Sequence, residues 1–146
     1  MKILYGSVGG TTRRVAKRLQ AVCGAGTELW SAVELMNAPN NFGVDDLIVC
    51  SPTYGDGELE SVLESALVGH DWRDWAGRAV AFCEVGIYTG YEDFGHGLIP
   101  ILRKVFLPAG FEECFPPLAI TSVPFDETAP VEAWGQAVAD AVRCRA

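Results

Sequence analysis

Short apolar runs alternate with stretches of helical periodicity along the whole chain. One continuous run is residues 46–51, in which the four residues Leu47 to Cys50 are all apolar. Such a run is typical of a strand in a parallel sheet that is covered on both faces. Other runs predict four further strands, at residues 2–6, 27–31, 78–85 and 117–121.

The helical periodicity is clearest directly after the first strand. Val15, Leu19 and Val22 recur at helical spacing, with Thr11 or Thr12 in position to cap the helix. Four basic residues occupy the opposite side and are therefore predicted to face solvent, and two glycines end the helix. These residues are Arg13, Arg14, Lys17 and Arg18, followed by Gly24 and Gly26. Similar apolar stripes predict helices within residues 59–67, 94–105 and 131–142. Trp72 and Trp75 flank a connection between a helix and a strand and are predicted to pack, whereas His70 and His96 are predicted to lie at the surface.

Five strands that alternate with helices predict an α/β fold. The expected architecture is a doubly wound, five-stranded parallel sheet with helices on both faces, because right-handed crossovers leave few other topologies. The length of 146 residues suits one domain over residues 1–146. Ligands of such sheets bind beyond the carboxyl ends of the strands, near the switch point in strand order. The loops after strands one, three and four are therefore the candidate site.

The first of these loops, residues 6–12, combines two adjacent glycines with three hydroxyl side chains and a helix N-terminus. Glycines allow backbone N–H groups to turn inward, and a helix start supplies unpaired donors with partial positive charge, so the loop suits a phosphate. It has no Walker lysine and does not match GxGxxG, which disfavours triphosphate hydrolysis and a dinucleotide. The alternative is a capped turn that binds nothing.

The second and third loops place tyrosines among glycines. In residues 51–58, Tyr54 precedes a Gly55–Asp56 peptide that is free to reorient, which suits a flat redox ring whose edge nitrogen changes protonation. In residues 84–94, Tyr91 could stack on one face of the ring while Tyr54 covers the other, and Tyr88 is open to a packing role. The same sequences are also compatible with ordinary turns.

Charge is distributed unevenly along the chain. The net charge is −8, yet residues 1–24 contain five basic residues and no acid, so the remainder carries six basic against nineteen acidic residues. Nucleic acids and anionic membranes require basic faces, so we expect neither as a partner. The loops after strands three and four are expected to form an acidic rim without basic residues, which suits a partner with a basic docking surface. The acids of this rim are Asp56, Glu58, Glu60, Glu64 and Asp71 in residues 51–72, and Glu84, Glu92 and Asp93 in residues 79–102. The alternative is that the acidity only maintains solubility.

Cysteine usage and the absence of long apolar stretches bear on location. Five scattered cysteines without CxxC spacing disfavour a disulfide framework or a zinc site and favour reduced thiols, so we expect no metal. No run approaches the ~18 apolar residues of a membrane helix. Met1 and Lys2 lead directly into an apolar run that Gly6 ends. We therefore expect a cytoplasmic protein without a secretory leader.

Taken together, the three loops resemble those of short-chain flavodoxins, and the resemblance extends over the whole chain. Residues 6–12 resemble the family's phosphate loop, T/S-x-T-G-x-T, with Ser7 at the first hydroxyl position, Gly10 at the glycine and Thr12 at the last threonine. Tyr54 and Tyr91 stand where the family places the two aromatic residues that stack on the isoalloxazine. Residues 117–131 are too short for the segment that splits the final strand of long-chain members.

This chain departs from the family pattern at several positions. Gly9 replaces the middle threonine of the phosphate loop, so Thr11 or backbone N–H groups would have to compensate. Tyr54 stands where tryptophan is common. Ile87 replaces an aspartate near the flavin pyrimidine, which leaves that edge to backbone groups of Gly86 or Tyr88.

The resemblance implies a flavodoxin-like sheet of order 2-1-3-4-5, an FMN cofactor and electron transport without catalysis of its own. The Gly55–Asp56 peptide would turn its carbonyl toward the flavin N5, and acidic loops would lower the second potential. The implied partners are basic-faced redox proteins, such as an NADPH-flavodoxin reductase, and the protein is expected to be a monomer. Alternatives are an NADPH-dependent FMN reductase, an activator subunit of a larger redox enzyme, or a cofactor-free module. The candidate FMN contacts are Ser7, Val8, Gly9, Gly10, Thr11 and Thr12; Pro52, Thr53, Tyr54, Gly55, Asp56 and Gly57; and Glu84, Val85, Gly86, Tyr88, Tyr91 and Phe94.

Overall fold

The computed structural model describes residues 1–6, 10–54, 58–87, 98–121 and 128–145, with the backbone alone at residues 54, 58, 87, 121, 128 and 129. Its centre is a sheet whose strands follow the predicted runs closely. In chain order the strands are β1 (Lys2–Tyr5), β2 (Glu28–Ser31), β3 (Leu47–Tyr54), β4 (Glu58–Leu59), β5 (Ala79–Ile87), β6 (Glu112–Glu113) and β7 (Leu118–Thr121).

The order of the sheet is β2-β1-β3-β5-β6, and all pairings along it are parallel. β7 also pairs with β5 in parallel, farther along that strand than β6 does, so β6 and β7 share the fifth position. Counted as five positions, this is the expected order 2-1-3-4-5. The additional β4 is antiparallel to β3.

The last strand is interrupted, which the sequence patterns did not predict. β6 and β7 are separated by residues 114–117, which include two consecutive prolines. Pro116 and Pro117 have no N–H to donate to the ladder, so the strand cannot continue through them. The Pro116 carbonyl instead accepts a bond of 2.8 Å from the Trp134 indole nitrogen.

Helices cover both faces of the sheet, as the alternation of strands and helices predicts. Ile3 and Ile48 point to one face and pack with α1 and α5, whereas Leu4 and Phe82 point to the other and pack with α2, α3 and α4. The helices are α1 (Thr11–Cys23), α2 (Ala32–Asn37), α3 (Ser61–Gly69), α4 (Ile99–Phe106) and α5 (Thr128–Arg143), with short 3-10 turns at Pro39–Asn41 and Arg73–Trp75.

α1 confirms the helix predicted from apolar spacing. Val15 and Leu19 are buried against the sheet, and the four predicted basic residues are exposed. Gly24 follows the last helical residue with φ of +98°, a conformation that glycine adopts without steric cost. The helix therefore presents cations to solvent over its first two turns, and it begins at Thr11, within the first candidate loop.

α2 is a helix that the apolar pattern did not predict. It begins with a capping box, in which the Glu34 N–H donates to Ser31 Oγ at 3.1 Å and the Ser31 N–H donates to Glu34 Oε1 at 3.0 Å. These reciprocal bonds satisfy two N–H groups that a helix start otherwise leaves unpaired. The helix buries Ala32 and Leu35 on the second face of the sheet.

The aromatic residues after α3 confirm one expectation and correct another. Trp72 and Trp75 are buried, as their predicted packing role requires. His70, which we expected at the surface, is half-buried, with its ring centroid 4.4 Å from that of Trp72. Desolvation lowers the pKa of His70. The partial burial of His70 therefore follows from its packing against Trp72, two residues farther along the chain.

No helix among the described residues is long and apolar enough to span a membrane.

Candidate functional site

The ends of β1, β3 and β5 lie side by side, and we call this end of the sheet the carboxyl edge. The Gly6 N–H, just beyond β1, donates to the Cys50 carbonyl of β3 at 3.1 Å. Cys50 is in turn in register with Cys83 of β5. The three loops that the sequence singled out therefore leave the sheet from adjacent strands.

The N-terminus of α1 has no side-chain cap among the described residues. Gly10 precedes the helix with φ of +88°, has no side chain to cap it, and accepts the Arg14 N–H on its carbonyl at 3.1 Å. The first turn contains no acidic residue, and Arg14 reaches back to donate to Thr11 Oγ1 at 3.3 Å. Uncapped backbone N–H groups, a helix dipole and a nearby guanidinium fit a phosphate group.

Gly6 is required by a close approach to α3. A Cβ at this position would lie 2.9 Å from Leu63 Cβ and 3.3 Å from Glu60 Oε2, so a larger side chain would displace the helix. This glycine lets the end of β1 pass directly against the start of α3.

Glu60 occupies the N-terminus of α3, and sequence analysis missed this role. Its Oε1 accepts the Val62 N–H at 2.9 Å and its Oε2 accepts the Leu63 N–H at 2.8 Å, and the residue is only 5% exposed. Glutamate is not among the usual N-cap residues, which are Ser, Thr, Asp and Asn, so no local start signal indicated this role.

The second loop is pinned by a short hairpin that was not predicted. β4 pairs with the end of β3 through Thr53 with Leu59 and Tyr54 with Glu58. Gly55, Asp56 and Gly57, the predicted flexible peptide, fall between these paired residues and lie outside the described part of the chain. The hairpin therefore fixes where that segment starts and ends.

Glu84 lies near the end of β5 and is fully buried. Its Oε1 accepts the Thr53 hydroxyl at 3.0 Å and the Leu98 N–H, at the start of α4, also at 3.0 Å. Its Oε2 has no hydrogen-bond partner among the described residues. Burial raises the pKa of this carboxyl, because the charged form loses its hydration and gains no cation among the described ion pairs.

The residues that follow Glu84 take two different positions. The Val85 side chain is buried in the core beneath α1 and α5, which leaves only its backbone for a ligand. Gly86 adopts φ of +86° at a register shift between β5 and β7, and a Cβ there would meet no described atom within 4 Å. The glycine therefore serves backbone conformation, as in a β-bulge, rather than close packing.

The structure brings part of the predicted site together. Gly10, Thr11 and Thr12 form the start of α1, with Thr12 buried, while Thr53 and Glu84 are bonded to each other. Pro52 is buried within β3, and Tyr54 ends that strand with its backbone. The remaining candidates lie outside the described residues: Ser7, Val8, Gly9, Gly55, Asp56, Gly57, Tyr88, Tyr91 and Phe94.

The expectation of an acidic rim requires correction at three residues. Glu60 and Glu84 are buried and bonded to protein donors, so neither faces solvent. Asp71 lies after α3, toward the opposite end of the sheet, and pairs with Arg73 at 2.6 Å. Acidic composition alone did not distinguish a capping carboxylate from an exposed one. Glu64, on the outer side of α3, is exposed as expected.

The chain is similar in sequence and in fold to known flavodoxins. A flavodoxin of Picosynechococcus sp. is 32% identical over 111 residues, which cover 74% of this chain and 64% of the relative. A cysteine-to-alanine mutant of a Pseudomonas aeruginosa flavodoxin has a TM-score of 0.76 at 28% identity, covering 98% of this chain and 99% of its own. A Fusobacterium nucleatum flavodoxin, solved with flavin mononucleotide bound, has a TM-score of 0.68 at 16% identity, covering 99% and 96%. No protein-family model matches the chain.

Proposed function

We propose that this chain is a flavodoxin-type carrier, which binds one FMN at the carboxyl edge and carries single electrons between larger redox enzymes, as its similarity to flavodoxins supports. The observation that carries this proposal is the start of α1. That terminus combines a left-handed glycine, backbone N–H groups without a side-chain cap among the described residues, and a guanidinium. The phosphate of FMN has the charge and size that such a terminus accommodates.

The phosphate end of the cofactor is assigned to α1 and the residues before it. Gly10, Thr11 and Thr12 supply backbone donors, and Arg14 adds a positive charge next to Thr11. We assign Ser7, Val8 and Gly9 to the same group from their place in the sequence motif. Because Gly9 removes a hydroxyl from the motif, Arg14 offers partial compensation through charge.

The ring end is assigned to the loops after β3 and β5. Tyr54 and Tyr91 are proposed to stack on the two faces of the isoalloxazine, and the Gly55–Asp56 peptide to face its N5 edge. Thr53 and Glu84 link the bases of these loops through their mutual hydrogen bond. Bound FMN accepts and releases electrons one at a time, and the protein around it sets the two potentials.

Partners are proposed to be basic-faced redox proteins, a reductase as donor and an acceptor enzyme. The net charge of −8 supports this, since opposite charge accelerates docking at low ionic strength. The buried positions of Glu60 and Glu84 reduce the number of acids available for docking. Because the exposed cations of α1 would repel a basic partner, we place the docking surface at the two ring loops. We further propose a cytoplasmic monomer, in keeping with five cysteines that form no disulfide.

The decisive experiment titrates the apoprotein with FMN and with riboflavin and follows flavin fluorescence. We expect one FMN per chain and weaker binding of riboflavin, by at least about tenfold, since riboflavin lacks the phosphate. Equal affinity for the two ligands would contradict the phosphate assignment, and failure to bind either would overturn the proposal.

A second measurement separates a carrier from a reductase. The flavin-loaded protein is mixed with NADPH in a stopped-flow instrument, with and without an added flavodoxin reductase. We expect reduction only when the reductase is present. Rapid reduction by NADPH alone would identify the chain as an FMN-dependent reductase. Spectroelectrochemical titration of the same sample then gives its two one-electron potentials.

A further inference from the structure

We propose that Glu84 is a positioning residue for the flavin ring and that it acts as a protonated acid. Its oxygen Oε1 forms a hydrogen-bonded tie between the bases of both ring loops. The ring assignment rests on the proposed function, whereas the hydrogen-bonded tie and its proton are properties of the protein alone. Glu84 lies on β5, next to Ser51 of β3 and Ala119 of β7 in the register of the sheet.

The tie consists of two hydrogen bonds to the same atom. Thr53, at the start of the hairpin that encloses residues 55–57, donates to Glu84 Oε1 at 3.0 Å. Leu98, which follows the segment 88–97, donates its N–H to the same oxygen at 3.0 Å. One oxygen therefore fixes the base of the second loop and closes the third loop across residues 84–98. Closing a loop at its base lowers the entropy that its residues must lose on binding a ligand.

The distribution of donors favours a neutral carboxyl. A neutral acid keeps a carbonyl oxygen that accepts two bonds and places its proton on the other oxygen. Glu84 matches this pattern, because both described donors go to Oε1 and none to Oε2. Glu60, the other buried glutamate on this sheet face, uses both oxygens as acceptors, one for each N–H donor. That arrangement suits an ionised carboxylate at a helix start.

No charge on the surrounding described elements would stabilise an ionised Glu84. The neighbouring residues on β3, β7 and α4 are Ser51, Thr53, Ala119 and Leu98, none of which is charged. On α4, Arg103 is engaged with Glu113 at 2.8 Å, and Lys104 is exposed. On α3, the acids are Glu60 at its start and the exposed Glu64. An unpaired buried carboxylate is strongly disfavoured, so the group takes up a proton.

The first test measures apoprotein stability against pH for wild type, Glu84→Gln and Glu60→Gln. Glutamine mimics a protonated glutamate, since it keeps the accepting oxygen and adds donors at the second position. The raised pKa of Glu84 means that the folded state binds more protons than the unfolded state above about pH 4. Wild type should therefore lose stability relative to Glu84→Gln as pH rises above about 4, until pH passes the raised pKa of Glu84.

The control substitution should behave differently. Glu60→Gln replaces an acceptor-only group with one that must point an N–H₂ toward a backbone N–H, so it should be less stable than wild type at neutral pH. The proposal is overturned if wild type gains stability over Glu84→Gln as pH rises, or if their difference does not change with pH. Either result would show that Glu84 does not carry the proton that its donor pattern indicates.

The second test measures FMN and riboflavin affinity of Glu84→Ala, Glu84→Gln and Thr53→Val. Losing the tie should weaken both ligands equally, by about fivefold or more in Glu84→Ala, and leave the FMN to riboflavin ratio unchanged. Glu84→Gln should keep wild-type affinity. Thr53→Val, which removes one of the two donors, should give a smaller loss than Glu84→Ala. Should Glu84→Ala fail to fold, the Thr53→Val and Glu84→Gln pair decides the question.

Other outcomes have distinct meanings. Loss of FMN affinity without loss of riboflavin affinity, or unchanged affinity for both in Glu84→Ala, would overturn the ring-positioning role. A wild-type protein that binds neither flavin would overturn the proposed function and the ring assignment with it. The pH series on the apoprotein would still establish or refute the protonated tie in that case.

Discussion

Two helix N-termini lie near the carboxyl edge of this sheet. One has a side-chain cap, and the other has none among the described residues. α3 receives a carboxylate from its own chain, since Glu60 accepts the N–H groups of Val62 and Leu63 at 2.9 and 2.8 Å. α1 begins after Gly10, which has no side chain, and has no acid in its first turn. Gly6, at the end of the strand that precedes α1 in the chain, packs directly against the start of α3.

The contrast between the two termini shows how one fold can use a helix start either for its own stability or for a ligand. Both termini carry the same partial positive charge from aligned peptide dipoles. Where an internal anion occupies that charge, the terminus contributes to folding and has no capacity left for a ligand. Where the chain supplies a glycine and cations instead, the same charge remains available to a phosphate. Substitutions that remove the anion from α3, or that alter the start of α1, should separate these two uses.

Removing the internal anion should give the largest effect. Glu60→Ala leaves two N–H groups at the start of α3 without acceptors in a buried environment, and should lower the free energy of unfolding by about 2 kcal/mol. Urea unfolding followed by tryptophan fluorescence measures it. Glu64→Ala, an exposed change on the same helix, should stay within about 0.5 kcal/mol of wild type. Equal effects of the two substitutions would contradict the capping role.

Adding an anion to α1 should weaken the proposed cofactor without harming the fold. Thr11→Asp places a carboxylate in the first turn, where it competes with the phosphate, so FMN affinity should fall about tenfold while riboflavin affinity is unchanged. The apoprotein should become slightly more stable, by up to about 0.5 kcal/mol, through the helix dipole. Thr11→Asn is the neutral control of matching shape. If both variants bind FMN equally, charge at this terminus does not matter.

Changing the glycine at the start of α1 should have an intermediate effect. Gly10→Ala must hold alanine at φ of +88°, which should reduce stability by about 1 kcal/mol. Gly24→Ala, at the other end of α1 with φ of +98° and no described atom within 4 Å, should show the same loss. Only Gly10→Ala should also reduce FMN affinity, measured by fluorescence titration. A parallel loss in Gly24→Ala would show that strain alone, rather than the anion site, is responsible.

Removing the guanidinium beside Thr11 should produce the smallest change. Arg14→Gln should weaken FMN binding about twofold and make it less sensitive to salt, since the side chain is exposed and screened. Affinities measured at several salt concentrations test this. Lys17→Gln, on the exposed side of the same helix and farther from its start, should leave affinity and salt dependence close to wild type.

Several elements could be predicted from the sequence because their signals are local. The spacing of Val15 and Leu19 predicted α1, and the apolar run at 46–51 predicted the core of β3. The capping box of Ser31 and Glu34 was also legible, although the apolar pattern alone did not indicate α2. The roles of Glu60 and Glu84 were not, because a count of charged residues in a segment does not reveal which of them are buried.

The amino-acid sequence alone indicated the five main strand runs, their alternation with helices, and the glycine and hydroxyl content of the first loop. These follow from periodicity and residue type, which act over a few neighbouring residues. Only the tertiary structure decided that Glu60 closes one helix start, that Gly6 must be small, and that Glu84 joins two loops through one oxygen. The last two depend on residues far apart in the chain, and all three depend on burial, which is set by packing across the sheet.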